Sequence, residues 1–559
     1  MPQKPIFSKA PILTVPHCFP APGTVRTHDE RIERLYQQAS RWMEQPCLWE
    51  GLFRIACLVR NKPADEPVTA MILGGLSDTG SGALEGSVAE QICRARAAFA
   101  VYEYNTDRTI LKRIAVWLRY LEVEFDTVCL QDGLLYRPAD LMELLVRFYQ
   151  ATGTKAVLRL CSRLRAEAFD WTTALHTFQQ SIPVRREEAA GPAIMPRVRP
   201  SEMDYDEKQK LINHAETLAD GMRYTLYAGL FSGHGHDLSS GRTAWEYLSR
   251  HHRAICGGTT SDPFLCGQGS DQPAGSAAVA AWTEAFASQM IRADSEWALD
   301  EMIRIVFNAL DDCLEREGIP DRQYINTVRD AEPASEDTVS LCARITRAAA
   351  DAFRHAVTLT EEGIRINYLV SARFLLMVRK QPVILQLDED AAVFQCSKPF
   401  FAPVDFYLSR TSSDSVLMSR GGKTARRSRR KTDPDTGFYL RTEGEWNDRD
   451  GFSTEKNEEV ICEETHHQGV CFFRRNRLLS MRASKDQYAY VCAETAASEG
   501  KITLGMSAAE GWKLRQGIPA DIPVLPKIIG EAVTADLTSY STTDKRITMF
   551  PRTAAACLK

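Results

Sequence analysis

No two of the 15 cysteines in this 559-residue chain stand in a C-x-x-C pair, so spacing offers neither a closed structural zinc site nor a disulfide framework. An odd and scattered set is expected to stay reduced, mostly as small buried hydrophobes. A secretion signal is also missing. Met1 to Leu13, MPQKPIFSKAPIL, carries prolines and polar residues where such a signal needs an apolar core, and no later apolar run approaches the length that spans a bilayer. The expected compartment is the cytoplasm, with no membrane partner. Strong charge of one sign is absent too: a net charge of -5 gives no bulk attraction to nucleic acid. The one densely basic stretch, SRGGKTARRSRRKTDPDTG from Ser419 to Gly437, holds no aromatic residue among its charges. It reads as a solvated hairpin loop, and no nucleic-acid partner is expected.

What is present is 44% hydrophobic and 25% charged residues, a globular balance, in a chain too long for one core. A unit of helix, short polar turn and second amphipathic helix recurs from Val101, Leu145, Leu226 and Phe286. In the copy at Leu145, residues Leu141, Leu144, Leu145 and Phe148 share one helical face, Gly153 sits in the turn, and Val157, Leu160 and Leu164 continue the pattern. Helical hairpins in series must bury their apolar faces on one another. Their unequal spacing, with long polar excursions, predicts a closed ring whose loops collect at one end. After TEEG the period becomes two: Ile364, Ile366 and Tyr368 alternate with polar neighbours, and Pro382 marks a strand edge or turn. The predicted order is α then β in separate domains. An N-terminal extension (1–28) precedes an (α/α)6-type helical toroid (29–362), a β-sandwich (363–526) and a C-terminal tail (527–559).

The mouth of such a ring is the default ligand site. The loop HHRAICGGTTSDPFLCGQGSDQP, His251 to Pro273, is expected there, with Asp262 its only acid before Asp271 and with Gly257, Gly258, Pro263 and Gly267 shaping its turns. Asp262 reads either as a helix cap or as a carboxylate aimed into the mouth. Asp140, after Pro138, is likewise a cap or a ligand group, and His214 at a helix start is a packing residue or a ligand. Glu336 and Asp337 open the last ring helix, where acids suit the positive helix end. Together with Asp262 they also offer the carboxylate pair that a glycosidase requires. His234 and His236 stand in a hairpin turn with no third ligand of the right kind nearby, so no metal is assigned.

The order of motifs resembles the β-L-arabinofuranosidases of glycoside hydrolase family 127 from about Leu134 through the sandwich. PADLMELLVRFYQATGTKAVLRLC resembles a family segment in which a pocket histidine opens a helix leading to ATGD, with Asp140 in the histidine's place. NHAETLADGMRY resembles the HAV or HVVN helix and keeps the substrate-lining histidine as His214. GGTTSDPFLCG resembles the loop bearing SDEHLAG, so Asp262 matches its aspartate while Pro263 replaces the glutamate. FASQMIRADSEWALDEMIRIVFNAL and GIRINYLVSARF resemble the family's TGDxxYADxxExxxFN hairpin and its GLYVNLYIPS entry into the β-domain. The resemblance implies a glycosidase fold and a carbohydrate substrate or ligand. It also implies a zinc ion held by a glutamate and three cysteines, one of them the nucleophile. Here the TExC element falls in PAGSAAVAAW, Pro273 to Trp282, and the double cysteine near SEDTVSL, neither of which carries the residues needed. The zinc site is therefore expected to be lost and no cofactor to be required. Asp262 is then expected as general acid/base and Asp337 or Glu336 as nucleophile or base, with His214, Asp140 and Asp271 on sugar hydroxyls. A toroid that binds a carbohydrate or a partner without catalysis is the alternative, and a homo-oligomer stays open.

Overall fold

The computed structural model describes residues 17–77, 82–184, 199–269, 272–292, 295–316, 318–325, 338–411, 415–428, 437–454, 460–465, 469–482, 491–498, 501–507, 528–542 and 545–551. Within them the chain is helical at first and strand-rich from Val357 onward.

Six helices form an inner ring: Pro46–Val59, Val88–Asn105, Ala139–Thr152, Ala215–Ser232, Ser276–Gln289 and Thr338–Arg354. Each packs on the next, and the sixth returns to pack on the first, which closes the ring. Outer helices sit against them: Glu30–Ala39 on the first and sixth, Arg108–Val123 on the second, Ala156–Glu167 on the third, Gly235–His251 on the fourth and Glu296–Arg304 on the fifth. The sequence sets these boundaries by ordinary capping. Ser87 and Glu90 close a capping box at the start of the second inner helix. Gly153 ends the third in the left-handed conformation, φ +67°, that a helix C-terminus favours. The inner helices are buried nearly all round, 12 of 14 residues in the fifth, because they touch both the outer layer and each other across the ring.

Two facing sheets follow. One orders strands 17–18, 357–360, 364–366, 404–408 and 438–442; the other orders 423–428, 415–420, 451–454, 391–395, 381–387, 372–378 and 25–27. Ala372–Val378 alternates strictly between buried and exposed, as a half-buried strand should. Pro382 falls at the second residue of Gln381–Leu387, just after a turn in which Arg379 and Lys380 both have positive φ. The basic stretch starts as a hairpin, Ser415–Arg420 paired with Lys423–Ser428, whose exposed tip is Gly421 and Gly422. Residues 429–436 lie outside the described residues.

Both ends of the chain take part in sheets. Residues 17–18 and 25–27, expected in an extension, pair with Val357–Thr360 and Ala372–Val378. The expected tail also contributes strands: Ile528–Asp536 joins a three-stranded sheet, and Thr538–Ser539, Arg546–Ile547 and Phe550–Pro551 pair with strands between Gly469 and Arg482. Apart from Ile528–Asp536, these strands are two or three residues long, too short to show a period. Arg546, almost fully buried, anchors this return by donating to Asp312 at 2.9 Å on the ring's last hairpin.

Candidate active site at the mouth of the ring

The first turns of the inner helices lie at one end of the ring, and the loop 252–275 folds over them. His214, the N-cap of the fourth inner helix, forms a β-bridge with Phe264, and the Ala215 and Leu265 amides donate to the carbonyls of Pro263 and Asn213. Ser261 bridges to Leu265 and Ala274, and Trp282 donates its indole N–H to Thr259 at 2.9 Å. The glycines make this possible. Gly257, at φ +111°, lies so close to Ile305 that an added Cβ would sit 2.7 Å from its backbone nitrogen. The loop is thus a wedged and hydrogen-bonded element rather than a slack connector.

Asp262 is not a helix cap, since no helix follows it; its carboxylate accepts from Arg322 Nε at 2.9 Å and is about one quarter exposed. Asp140 is not the cap of its helix either, a role taken by Pro138. It stands in the first turn, where Arg96 and Arg223 both hold its Oδ1. His214 is buried, its Nδ1 is 3.2 Å from the Thr217 hydroxyl, and its ring meets Phe264 edge-on. Burial lowers its pKa to about 4, so it is neutral at physiological pH. Asp271, Glu336 and Asp337 lie outside the described residues, and with them the separation of the expected carboxylate pair.

Four further residues, not singled out in the sequence, share this end. Arg344 pairs with Asp220 at 3.2 Å and Glu216 at 3.5 Å, and Arg137 donates to the Thr217 hydroxyl at 3.1 Å. Burial would raise the Glu216 carboxyl, but the guanidinium groups of Arg344 and Arg137 outweigh it and hold the group below its ordinary range. Arg137 Nε, Arg344 Nη1 and Asn213 Oδ1 find no hydrogen-bond partner among the described residues.

Deeper in, one layer of ion pairs crosses the ring. Glu284 accepts from Arg223 and Arg347, each at 2.6 Å; Glu50 accepts from Arg54 at 2.7 Å and Arg96 at 2.8 Å. Both carboxyls are held below their ordinary range: burial raises them, and the arginines more than compensate. The sequence did hold a signal for this layer, in single charges such as Arg223 in GMRYTLYAG and Glu284 in VAAWTEAFA, each flanked by residues that pack.

The helical ring, the sandwich and their connection have solved counterparts. A structure titled "Glycoside hydrolase" superposes with a TM-score of 0.71 at 11% identity over 96% of this chain and 98% of that one. The fold is that of the GH127 glycoside hydrolases. A GH127 β-arabinofuranosidase covers 97% of this chain and 99% of its own length with a TM-score of 0.62 at 11% identity. A GH127 β-L-arabinofuranosidase from Geobacillus stearothermophilus T6 matches at 0.62 and 12% identity over 94% of each chain. Neither a protein-family profile nor any curated protein matches the sequence. Of the two segments that the resemblance matches to zinc ligands, the one around Pro273–Trp282 is described and the one leading into the sixth inner helix lies outside the described residues up to Thr338. Pro273–Gly275 forms a short strand paired with Arg322–Tyr324, and the fifth inner helix then begins Ser276, Ala277, Ala278. Cys342 is buried in the sixth inner helix, and burial raises its thiol to about 12, which disfavours the thiolate a metal would need. Among the described residues no three His, Cys, Asp or Glu side chains are grouped to hold a metal ion, and no helix is long and apolar enough to cross a membrane.

Proposed function

We propose that the mouth of the ring binds a carbohydrate and hydrolyses a glycosidic bond, in an activity related to that of the β-L-arabinofuranosidases but carried by carboxylates instead of a zinc-bound cysteine. The observation that carries this reading is the set of unpaired polar atoms at the mouth of a GH127 fold: Arg137 Nε, Arg344 Nη1 and Asn213 Oδ1, gathered around the neutral His214. Buried donors and acceptors left unpaired are costly, and the hydroxyls of a sugar could satisfy them. In this reading Asp262 is the general acid/base and Asp337 or Glu336 the nucleophile or water-activating base. His214, Asp271 and the second oxygen of Asp140 hold sugar hydroxyls, and no metal takes part.

One observation favours a second reading, a ring that binds sugar without cleaving it. Asp140, Glu216, Asp220 and Asp262 are each ion-paired to arginine. A general acid must bring its carboxyl to the leaving oxygen, and an arginine already holding that carboxylate competes with this.

A panel of nitrophenyl glycosides, including the β-L-arabinofuranoside, separates the two. Release that survives a chelator and is abolished in Asp262→Asn, with the variant's Tm unchanged, supports the hydrolase. No release from any sugar, alongside saturable sugar binding by calorimetry, supports the binding ring. Release lost on chelation overturns the carboxylate mechanism.

A further inference from the structure

Below the ion-pair layer, on the side away from His214, the lumen opens into a cavity of about 150 Å³. Its walls come mostly from the later turns of the inner helices, and Cys18 and Phe19 close it from the N-terminal strand. A water occupies about 30 Å³ of liquid, so the space suits about five waters or one small polyatomic ion.

The charge around this space is uneven from level to level. At its lower level stand Arg54, Arg147 and Arg354 against Glu103 and Asp351. Glu103 is taken by Arg147, and Asp351 accepts from Arg54 at 3.3 Å. Arg354 is left over. Its Nε donates to the Pro20 carbonyl at 2.7 Å, and no described carboxylate lies within ion-pairing distance of it. Burial lowers the Arg354 pKa, Arg54 and Arg147 add to that, and Glu103 and Asp351 oppose it. His355 contributes no charge at neutral pH, because burial holds its pKa well below the ordinary value, and Phe19 packs on its ring at 3.7 Å. In the layer above, Arg96, Arg223 and Arg347 face Glu50, Glu143, Glu284 and Asp140. Arg354 makes no ion pair of its own with a described carboxylate, and an arginine fork is shaped to take two oxygens of a carboxylate or phosphate.

We propose that this cavity is an oxyanion site, in which a phosphate or carboxylate group is bound by Arg354 with Arg54 and Arg147 in support. The site lies across the ion-pair layer from the mouth and does not rest on the hydrolase reading. Glu103 and Asp351 restrict it to a small anion held at the Arg354 side.

The full chain is titrated by calorimetry with inorganic phosphate, with glucuronate and with glucose at matched ionic strength, and its Tm is followed in the same solutions. Saturable phosphate binding with a raised Tm is expected, and no response to glucose. Arg354→Gln should weaken the binding at least about tenfold, the scale of one lost charge-assisted contact. Arg242→Gln, an exposed arginine on an outer helix, should leave it unchanged. Glucuronate binding lost in Arg354→Gln would identify a sugar-borne carboxylate as the source of the anion; phosphate binding alone would identify the free ion. Equal binding by wild type and Arg354→Gln overturns the proposal. If that variant does not fold, the wild-type titration decides, and absence of saturable binding by both anions would falsify it.

Discussion

His252 shows how much a single buried ring can decide. Its Nε2 is 2.7 Å from the Gln180 carbonyl, which can only accept, so Nε2 carries the proton. Its Nδ1 accepts the Gly267 amide at 3.1 Å. Both nitrogens are committed to the neutral form, and burial lowers the pKa to about 4 from an ordinary 6.5. Between those values the unfolded chain binds more protons than the folded one, so stability rises with pH through this window. The contribution is complete above pH 6.5 and is lost as pH falls toward 4. The shift corresponds to about 3 kcal/mol at most, at about 1.4 kcal/mol per unit. His214 acts in the same direction. The wild type should therefore lose Tm steeply between pH 6.5 and 4.5, and His252→Gln should flatten that slope while lowering Tm at pH 7.5. An identical slope in the variant would remove His252 from the account.

Elements were legible in the sequence where a period runs long enough to be seen. The hairpins at Val101, Leu145, Leu226 and Phe286 all exist, because their apolar residues recur at helical spacing and capping residues such as Asp107 and Gly153 mark their ends. The loop 252–275 was legible only as a cluster of turn residues. Its partners Arg322 and Ile305 lie far along the chain, and nothing local announces a long-range ion pair or a close backbone approach. The same holds for the ring's interior, where Arg344, Arg347, Asp351 and Arg354 of the sixth inner helix look like a solvated stripe until ring closure buries them. The loop's tight seating predicts opposite effects for two glycines. Gly257→Ala combines a left-handed φ with a clash against the Ile305 backbone and should destabilise by about 1–3 kcal/mol. Gly235, at the start of the outer helix Gly235–His251, has open space where a Cβ would go, and Gly235→Ala should stabilise by about 0.4–1 kcal/mol. Urea denaturation of both variants checks the pair, and a neutral Gly257→Ala would mean that the loop is looser than its contacts suggest.

At the scale of the whole molecule, the ring and the sandwich are tied together at both ends of the chain. In the sequence the period changes near Gly363, whereas the ties are short and aperiodic. Asn308, in a π-helical turn at the end of the fifth hairpin, accepts the Leu478 amide at 2.6 Å and donates to the Asn476 carbonyl. Arg304 pairs with Glu463 at 2.7 Å. At the other end Val25 is buried in the sandwich, Thr27 donates to the Ser371 carbonyl at 2.5 Å, and Arg354 reaches the Pro20 carbonyl from the last ring helix. Burying an aliphatic side chain such as Val25 is worth about 1.5–3 kcal/mol, and the strand pairing of 17–18 and 25–27 adds to it. A chain beginning at Asp29 would therefore lose more than a passive extension: it would expose the edges of two sheets and open the floor of the ring. Its thermal unfolding should begin well below that of the full chain, and the exposed edges should promote aggregation. The substitution Val25→Asp tests the same seam in the intact protein and should lower Tm in the same direction. If the shortened chain instead unfolds at the full chain's temperature, the N-terminal strands are ornament, and the coupling between ring and sandwich rests on other contacts, such as the hydrogen bond from Tyr407 to Asp300 at 2.9 Å.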